Sequence, residues 1–134
     1  MKRFFTNSKI AKALLFKGYS TIAIGWFVFS KLKQLPNRTK IHETIHALQW
    51  TEVTSVAFVL LAFFSWIISP YLVFLSPIVY YVWYVVEWLI RLPFGDAYRN
   101  ILFEKEAFDN DHNERYLLER ELFAWLNRKS NNKC

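Results

Sequence analysis

The sequence predicts a mainly α-helical fold with a small β element (α+β), in a single domain of residues 1–134. Three observations favour this fold class. A helical pattern of apolar residues covers 39–69, a second apolar segment covers 71–92, and β-branched and aromatic residues are concentrated before them, in residues 18–30. With 54% hydrophobic and 19% aromatic residues, the chain carries more apolar surface than a domain of this size can bury. We therefore expect part of that surface to contact lipid.

Residues 1–38 form a basic N-terminal segment for which we expect one or two strands. Within it, Gly18–Ser30 (GYSTIAIGWFVFS) is too short to cross a bilayer as a helix and is rich in β-branched and aromatic residues. We interpret it as a strand broken near Gly25, and an interfacial helix is the alternative. The earlier apolar run Ala11–Phe16 is short and lacks a cleavage pattern after it, so we expect no cleaved signal peptide.

The first forty residues contain nine lysines and arginines and no acidic residue. Such a charge bias beside apolar segments is typical of the cytoplasmic side of a membrane. No nucleic-acid-binding module accompanies the basic residues, so we expect no nucleic-acid partner.

Two helical segments follow the basic region. A helix over 39–69, capped by Asn37 or Thr39, starts amphipathic and continues into the uncharged stretch Val53–Ile68. The second apolar helix, 71–92, has about the length that crosses a bilayer. A transmembrane hairpin is the favoured interpretation, with a re-entrant hairpin or two buried core helices as alternatives. A hairpin places both termini on one side, and the basic residues select the cytoplasm.

The motif that points to chemistry is KIHETIHALQW, residues 40–50. Residues four apart on a helix differ by about 40° around its axis, so His42 and His46 face the same side and can bind one Zn²⁺. Glu43 lies beside them, where a carboxylate can act as general base for a water on the metal. This composition yields only about 0.004 chance His-Glu-x-x-His matches, so a zinc site is favoured over coincidence.

A catalytic zinc needs a third protein ligand and an open position. Glu52 has a suitable spacing only if the helix breaks before it, and nothing at Gln49 or Trp50 predicts a break. His112, in an Asp-His-Asn setting, is typical of a solvated turn. The better donors lie in a predicted helical region over 97–128, where Glu104 and Glu106 begin a helix.

The combination of HETIH with the downstream FEKEAF resembles the gluzincin metallopeptidases. That resemblance implies that Glu104 is the third ligand and that Ala107 is the small residue packed against the metal helix. The chain resembles more closely a group of short bacterial HExxH membrane-associated proteins of unassigned function, through HETIHALQ, WYVVEWLIRL, DAYRNILFEKEAF and YLLERELFAWL. This resemblance implies a bacterial inner membrane location, and the basic first forty residues indicate that the metal site is on the cytoplasmic side.

Further residues are candidates for supporting roles at the site. Gln49 lies within about 20° of the His42 direction and can line the site. Glu87, among apolar residues, is expected to pair with Arg91 one turn later, with a place at the site as the alternative. Tyr98 and Arg99 are candidates for stabilising a tetrahedral oxyanion. Phe108 stands where many gluzincins have an acid, so Glu106 or Asp109 is expected to contact a histidine instead.

The sequence therefore predicts a membrane-associated zinc peptidase that acts on a peptide or protein substrate. The second hypothesis is a non-catalytic membrane protein in which His42, His46 and Glu104 form a structural zinc clip. The third is a membrane interaction protein without a metal.

Overall fold

The computed structural model describes residues 3–15 and 20–127, and its mainly helical architecture with one small sheet confirms the predicted fold class. Parts of the predicted segments that fall on residues 1–2, 16–19 and 128–134, Gly18 among them, lie outside the described residues. The elements are β1 (Phe4–Phe5), α1 (Lys9–Leu14), β2 (Thr21–Ile24), β3 (Phe27–Ser30), α2 (Asn37–Ile67), α3 (Ser76–Arg91), α4 (Leu102–Asn110) and α5 (Tyr116–Glu119). Three 3₁₀ turns cover Pro70–Leu75, Leu92–Phe94 and Ala124–Leu126.

The predicted break at Gly25 is a hairpin turn. β2 and β3 pair antiparallel around Gly25 and Trp26, and β1 adds to β3 in parallel, giving the order β1-β3-β2. Gly25 has φ +58°, a left-handed conformation that glycine adopts without strain. The alternative of an interfacial helix is therefore wrong for residues 20–30. Among the described strands, β2 lies at the edge of the sheet and is paired on one side only.

Helix α2 is continuous for 31 residues, from Asn37 to Ile67. The predicted cap is wrong: the helix follows Pro36 without a side-chain capping bond, and the Asn37 amide donates instead to Glu114 at 3.0 Å. As the sequence predicted, the helix does not break near Trp50. One helix therefore carries both histidines and the first apolar segment.

The apolar hairpin consists of the second half of α2, the 3₁₀ turn Pro70–Leu75 and α3. No charged residue lies between Glu52 and Glu87, and two segments, Asn37–Ile67 and Pro70–Arg91, are long and apolar enough to cross a membrane. Only 17% of the apolar window of each is buried, and Trp66 is 90% exposed. The alternative of two buried core helices does not fit this exposure, because core helices are mostly covered.

Helix α4 packs across the first half of α2. Ala107 is fully buried against Ile41 and Ile45 of α2. The Glu87 carboxylate accepts the Leu102 N–H at 3.0 Å at the start of α4 and also pairs with Arg91 at 2.7 Å. These contacts fix the register of α4 against α2 and α3.

Candidate metal centre

His42, His46 and Glu104 meet where α4 crosses α2. The two imidazole Nε2 atoms are 3.1 Å apart, and each lies 3.4 Å from one oxygen of Glu104. Two ligands held about 2.1 Å from a tetrahedral zinc are about 3.4 Å apart, so these separations match those of ligand atoms around one cation. The three side chains could hold a metal ion.

The Glu104 carboxylate is buried, with 2% of the residue exposed. Its Oε1 accepts a hydrogen bond from the Tyr84 hydroxyl at 2.7 Å, whereas Oε2 is buried and makes no hydrogen bond to the described residues. Burial alone would raise the pKa of Glu104, but the facing His42 and His46 imidazoles hold it well below its usual range. The Glu104 carboxylate is thus buried and ionised, and one of its oxygens makes no hydrogen bond. Beside two imidazoles, such a group is suited to bind a cation.

Gln49 orients the ring of His46. The Gln49 Nε2 donates to the carbonyl of Phe103 at 3.0 Å and to Glu106 Oε2 at 2.9 Å, so its Oε1 is left to face His46 Nδ1 at 2.8 Å. His46 Nδ1 therefore carries a hydrogen, and Nε2, which lies 3.4 Å from Glu104, is the nitrogen left for a metal. Gln49, predicted to line the site, acts from behind the histidine.

The residue that faces the rear of His42 is Asp111, not Asp109 or Glu106. Asp111 Oδ2 lies 3.6 Å from His42 Nδ1, and its Oδ1 pairs with Arg38 at 2.8 Å. Asp109 is exposed on α4. The expectation for Asp109 is wrong because Asp109 lies about 140° around the helix from Glu104, whereas Asp111, which has helical φ and ψ, lies seven residues after Glu104 and on the same face.

Glu43 is buried and lines the cleft beside the two histidines. Its Oε1 accepts a hydrogen bond from the Thr21 hydroxyl of β2 at 2.6 Å. This contact joins the candidate general base to the edge strand. No sequence signal marks Thr21, because the contact spans two elements that only the fold brings together.

The site opens into a cleft of about 780 Å³ between β2 and α3. Its walls include Thr21, Ile22, Ala23, Trp50, Tyr80, Tyr81, Tyr84, Trp88 and Tyr98, together with His42, Glu43, His46 and Glu104. Burial, and then the negative charge of Glu104, raises the pKa of Tyr98, so its phenol stays protonated and can donate a hydrogen bond. Arg99 is not among the lining residues; its guanidinium lies over the Phe108 ring at 5.0 Å.

The remaining candidates lie outside the donor cluster. Glu52 is buried in contact with Arg120 and with the Trp125 indole, whose Nε1 donates to it at 3.0 Å. The His112 side chain is 71% exposed in a turn. Glu87 stabilises the start of α4, and Glu106 contacts Gln49 instead of a histidine.

No protein-family model matches the chain, and no curated protein or solved structure shows significant similarity to it. The resemblance to gluzincins therefore stays a prediction, and the case for a metal centre depends on the geometry of the site.

Proposed function

We propose that this chain is a membrane-associated, zinc-dependent peptidase in which His42, His46 and Glu104 hold the metal and Glu43 is the general base. The observation that carries the proposal is the ligand-like spacing of the three donors on the wall of an open cleft. Two histidines and one glutamate are a ligand set of catalytic zinc in peptidases, and three protein ligands leave one position open.

Zinc bound at this site would acidify a water and polarise the carbonyl of the scissile bond. Glu43, directly after His42 on the cleft wall, would take the proton of that water and deliver it to the leaving amine. The Thr21 hydroxyl holds the Glu43 carboxylate in place at 2.6 Å. Tyr98, which stays protonated, is placed to donate to the developing oxyanion.

The unpaired edge of β2 supports a peptide as the substrate class. The two-residue turn makes Ile24 and Phe27 a hydrogen-bonded pair, and the bonding alternates from there along the antiparallel ladder. Thr21 and Ala23 therefore direct their backbone N–H and C=O groups away from β3, on the strand that lines the cleft. An extended peptide can bind such an edge as an added strand, which would lie beside Glu43.

The apolar hairpin supports a location at a membrane surface. From Glu52 to Ile67 the continuous helix α2 rises about 22 Å at about 1.5 Å per residue, so its uncharged run covers most of a hydrocarbon core of about 30 Å. A hairpin that crosses the bilayer would thus place the metal at the near interface, with Trp66 and Tyr71 at the far one. The basic first forty residues favour the cytoplasmic face of a bacterial inner membrane for both termini and the metal.

A structural zinc clip between α2 and α4 is the second candidate, because the three ligands join two packed helices. Glu43→Gln separates the two, since it removes the basic carboxylate and retains its size. Detergent-solubilised protein is incubated with a peptide library. We expect wild type to cleave and Glu43→Gln to keep its zinc while cleaving at least about 10²-fold more slowly. Equal cleavage by the variant would refute this mechanism, and zinc binding by both proteins without cleavage by either would favour the clip.

A further inference from the structure

We propose that the segment Tyr116–Trp125 is a positioning element for the metal ligand His46, acting through Arg120, Glu106 and Gln49. The inference rests on the metal site of the proposed function and does not depend on peptidase activity. It assigns a role to the YLLERELFAWL sequence, which contributes no donor to the metal cluster.

We call the connected side chains His46, Gln49, Glu106 and Arg120 the relay. Its first contact is between His46 and Gln49. The Gln49 side chain is fully buried, and its amide nitrogen donates to Phe103 O and to Glu106 Oε2. Rotating the amide by 180° would bring its oxygen against two acceptors. The Gln49 oxygen thus remains on Nδ1 of His46 as long as Glu106 stays in place as an acceptor.

The position of Glu106 is set by the C-terminal segment. Its Oε1 accepts from the Tyr116 hydroxyl at 2.8 Å and from Arg120 Nε at 2.6 Å, while Oε2 accepts from Arg120 Nη2 at 3.2 Å. The Arg120 side chain is 4% exposed, as is that of Glu106. A guanidinium that binds both carboxylate oxygens fixes the plane of the group as well as its charge.

Arg120 is anchored on its other side by Glu52. Glu52 accepts from Arg120 Nη1 and Nη2 and from the Trp125 indole, and among the described residues it makes no hydrogen bond to Gln49 or His46. Burial would lower the pKa of Arg120, but Glu52 and Glu106 raise it above its ordinary value, so the guanidinium stays charged. Glu52 and Glu106 thus bind the same guanidinium, that of Arg120. Only Glu106 is also connected to the metal ligand His46, through Gln49.

This arrangement supplies a matched pair of variants. Glu52 and Glu106 are each 7% exposed, so Glu52→Gln and Glu106→Gln remove the same charge from the same arginine at equal burial. The zinc affinity of the purified chain is measured by competition with a chelator, and folding is checked by the melting temperature without metal. We expect Glu106→Gln to weaken zinc binding by about 10- to 100-fold and Glu52→Gln to change it by less than about threefold.

Exchanging Gln49 and Glu106 tests the coupling between these two residues directly. The test remains informative if Glu106→Gln folds poorly. Gln49→Glu alone sets its carboxylate against the Glu106 carboxylate and the Phe103 carbonyl, whereas adding Glu106→Gln lets a glutamine amide donate to the new carboxylate and leaves only the contact with Phe103 unfavourable. We expect the double variant to bind zinc at least about tenfold more tightly than the product of the two single effects predicts. If either single variant does not fold, the double variant should be more stable than that variant, although the contact with Phe103 keeps it less stable than wild type.

Equal weakening by Glu52→Gln and Glu106→Gln, or single effects that simply multiply in the double variant, would overturn the positioning role. If a single variant does not fold, a double variant that is no more stable than that variant would overturn it. Failure of the wild-type chain to bind zinc would instead refute the metal site itself, so the two failures are distinguishable.

Discussion

Zinc should stabilise the fold, because its ligands come from two helices that are distant in sequence. His42 and His46 lie on α2 and Glu104 on α4, so the three donors come within 4.8 Å of one another only when these helices are packed. A ligand that binds only the folded chain adds about 2.7 kcal/mol to the free energy of unfolding at a hundred times its Kd. For a chain of 134 residues, each kcal/mol raises Tm by roughly 3–5 °C. We therefore expect saturating zinc to raise Tm by roughly 10 °C.

Thermal unfolding in detergent, followed by tryptophan fluorescence, measures this shift. Trp125 is buried against Phe103 and reports the packing of the α2–α4 region. Samples with excess zinc are compared with samples held in chelator. Glu104→Gln should lose most of the shift, because it removes the anionic ligand, whereas Glu52→Gln should keep it. An undiminished shift in Glu104→Gln would show that zinc stabilises the chain at a different place and would refute the reasoning.

Three further predictions follow from the hairpin, the general base and the histidines. The chain should stay in the membrane fraction after alkaline extraction, because its apolar hairpin is exposed; release without detergent would contradict membrane insertion. Thr21→Val should slow any hydrolysis by roughly tenfold at constant zinc content through loss of the bond to Glu43, whereas Thr51→Val, which removes only a bond within α2, should not. Zinc affinity should fall as the pH is lowered, since protons compete with the metal for the two imidazoles; chelator competition that gives one affinity from about pH 5 to 8 would contradict histidine ligation.

The sequence predicted the parts of the molecule that depend on local spacing. His42 and His46 share one face of α2 because a helix repeats every 3.6 residues, and the uncharged run after Glu52 marks the apolar hairpin directly. The FEKEAF pattern placed Glu104 and Ala107 on the helix that packs against the histidines. The pairing of Glu87 with Arg91 could be predicted because the two residues are one helical turn apart.

The remaining features depend on contacts between distant segments. The two-residue strand β1 pairs with β3 across more than twenty residues, and no periodicity can be recognised over so short a stretch. Which carboxylate faces the rear of His42 follows instead from local spacing, because Asp111 lies seven residues after Glu104 and on the same helix face. Arg120 meets Glu52 across 68 positions, a distance at which sequence spacing carries no information on contacts.

The zinc content of the purified chain tests the metal centre most directly. Elemental analysis should find close to one zinc per chain in wild type, almost none in His46→Ala, and an unchanged content in His112→Ala, whose side chain is 71% exposed and lies outside the donor cluster. Equal zinc in wild type and His46→Ala would contradict the assignment of His42, His46 and Glu104 as the metal centre.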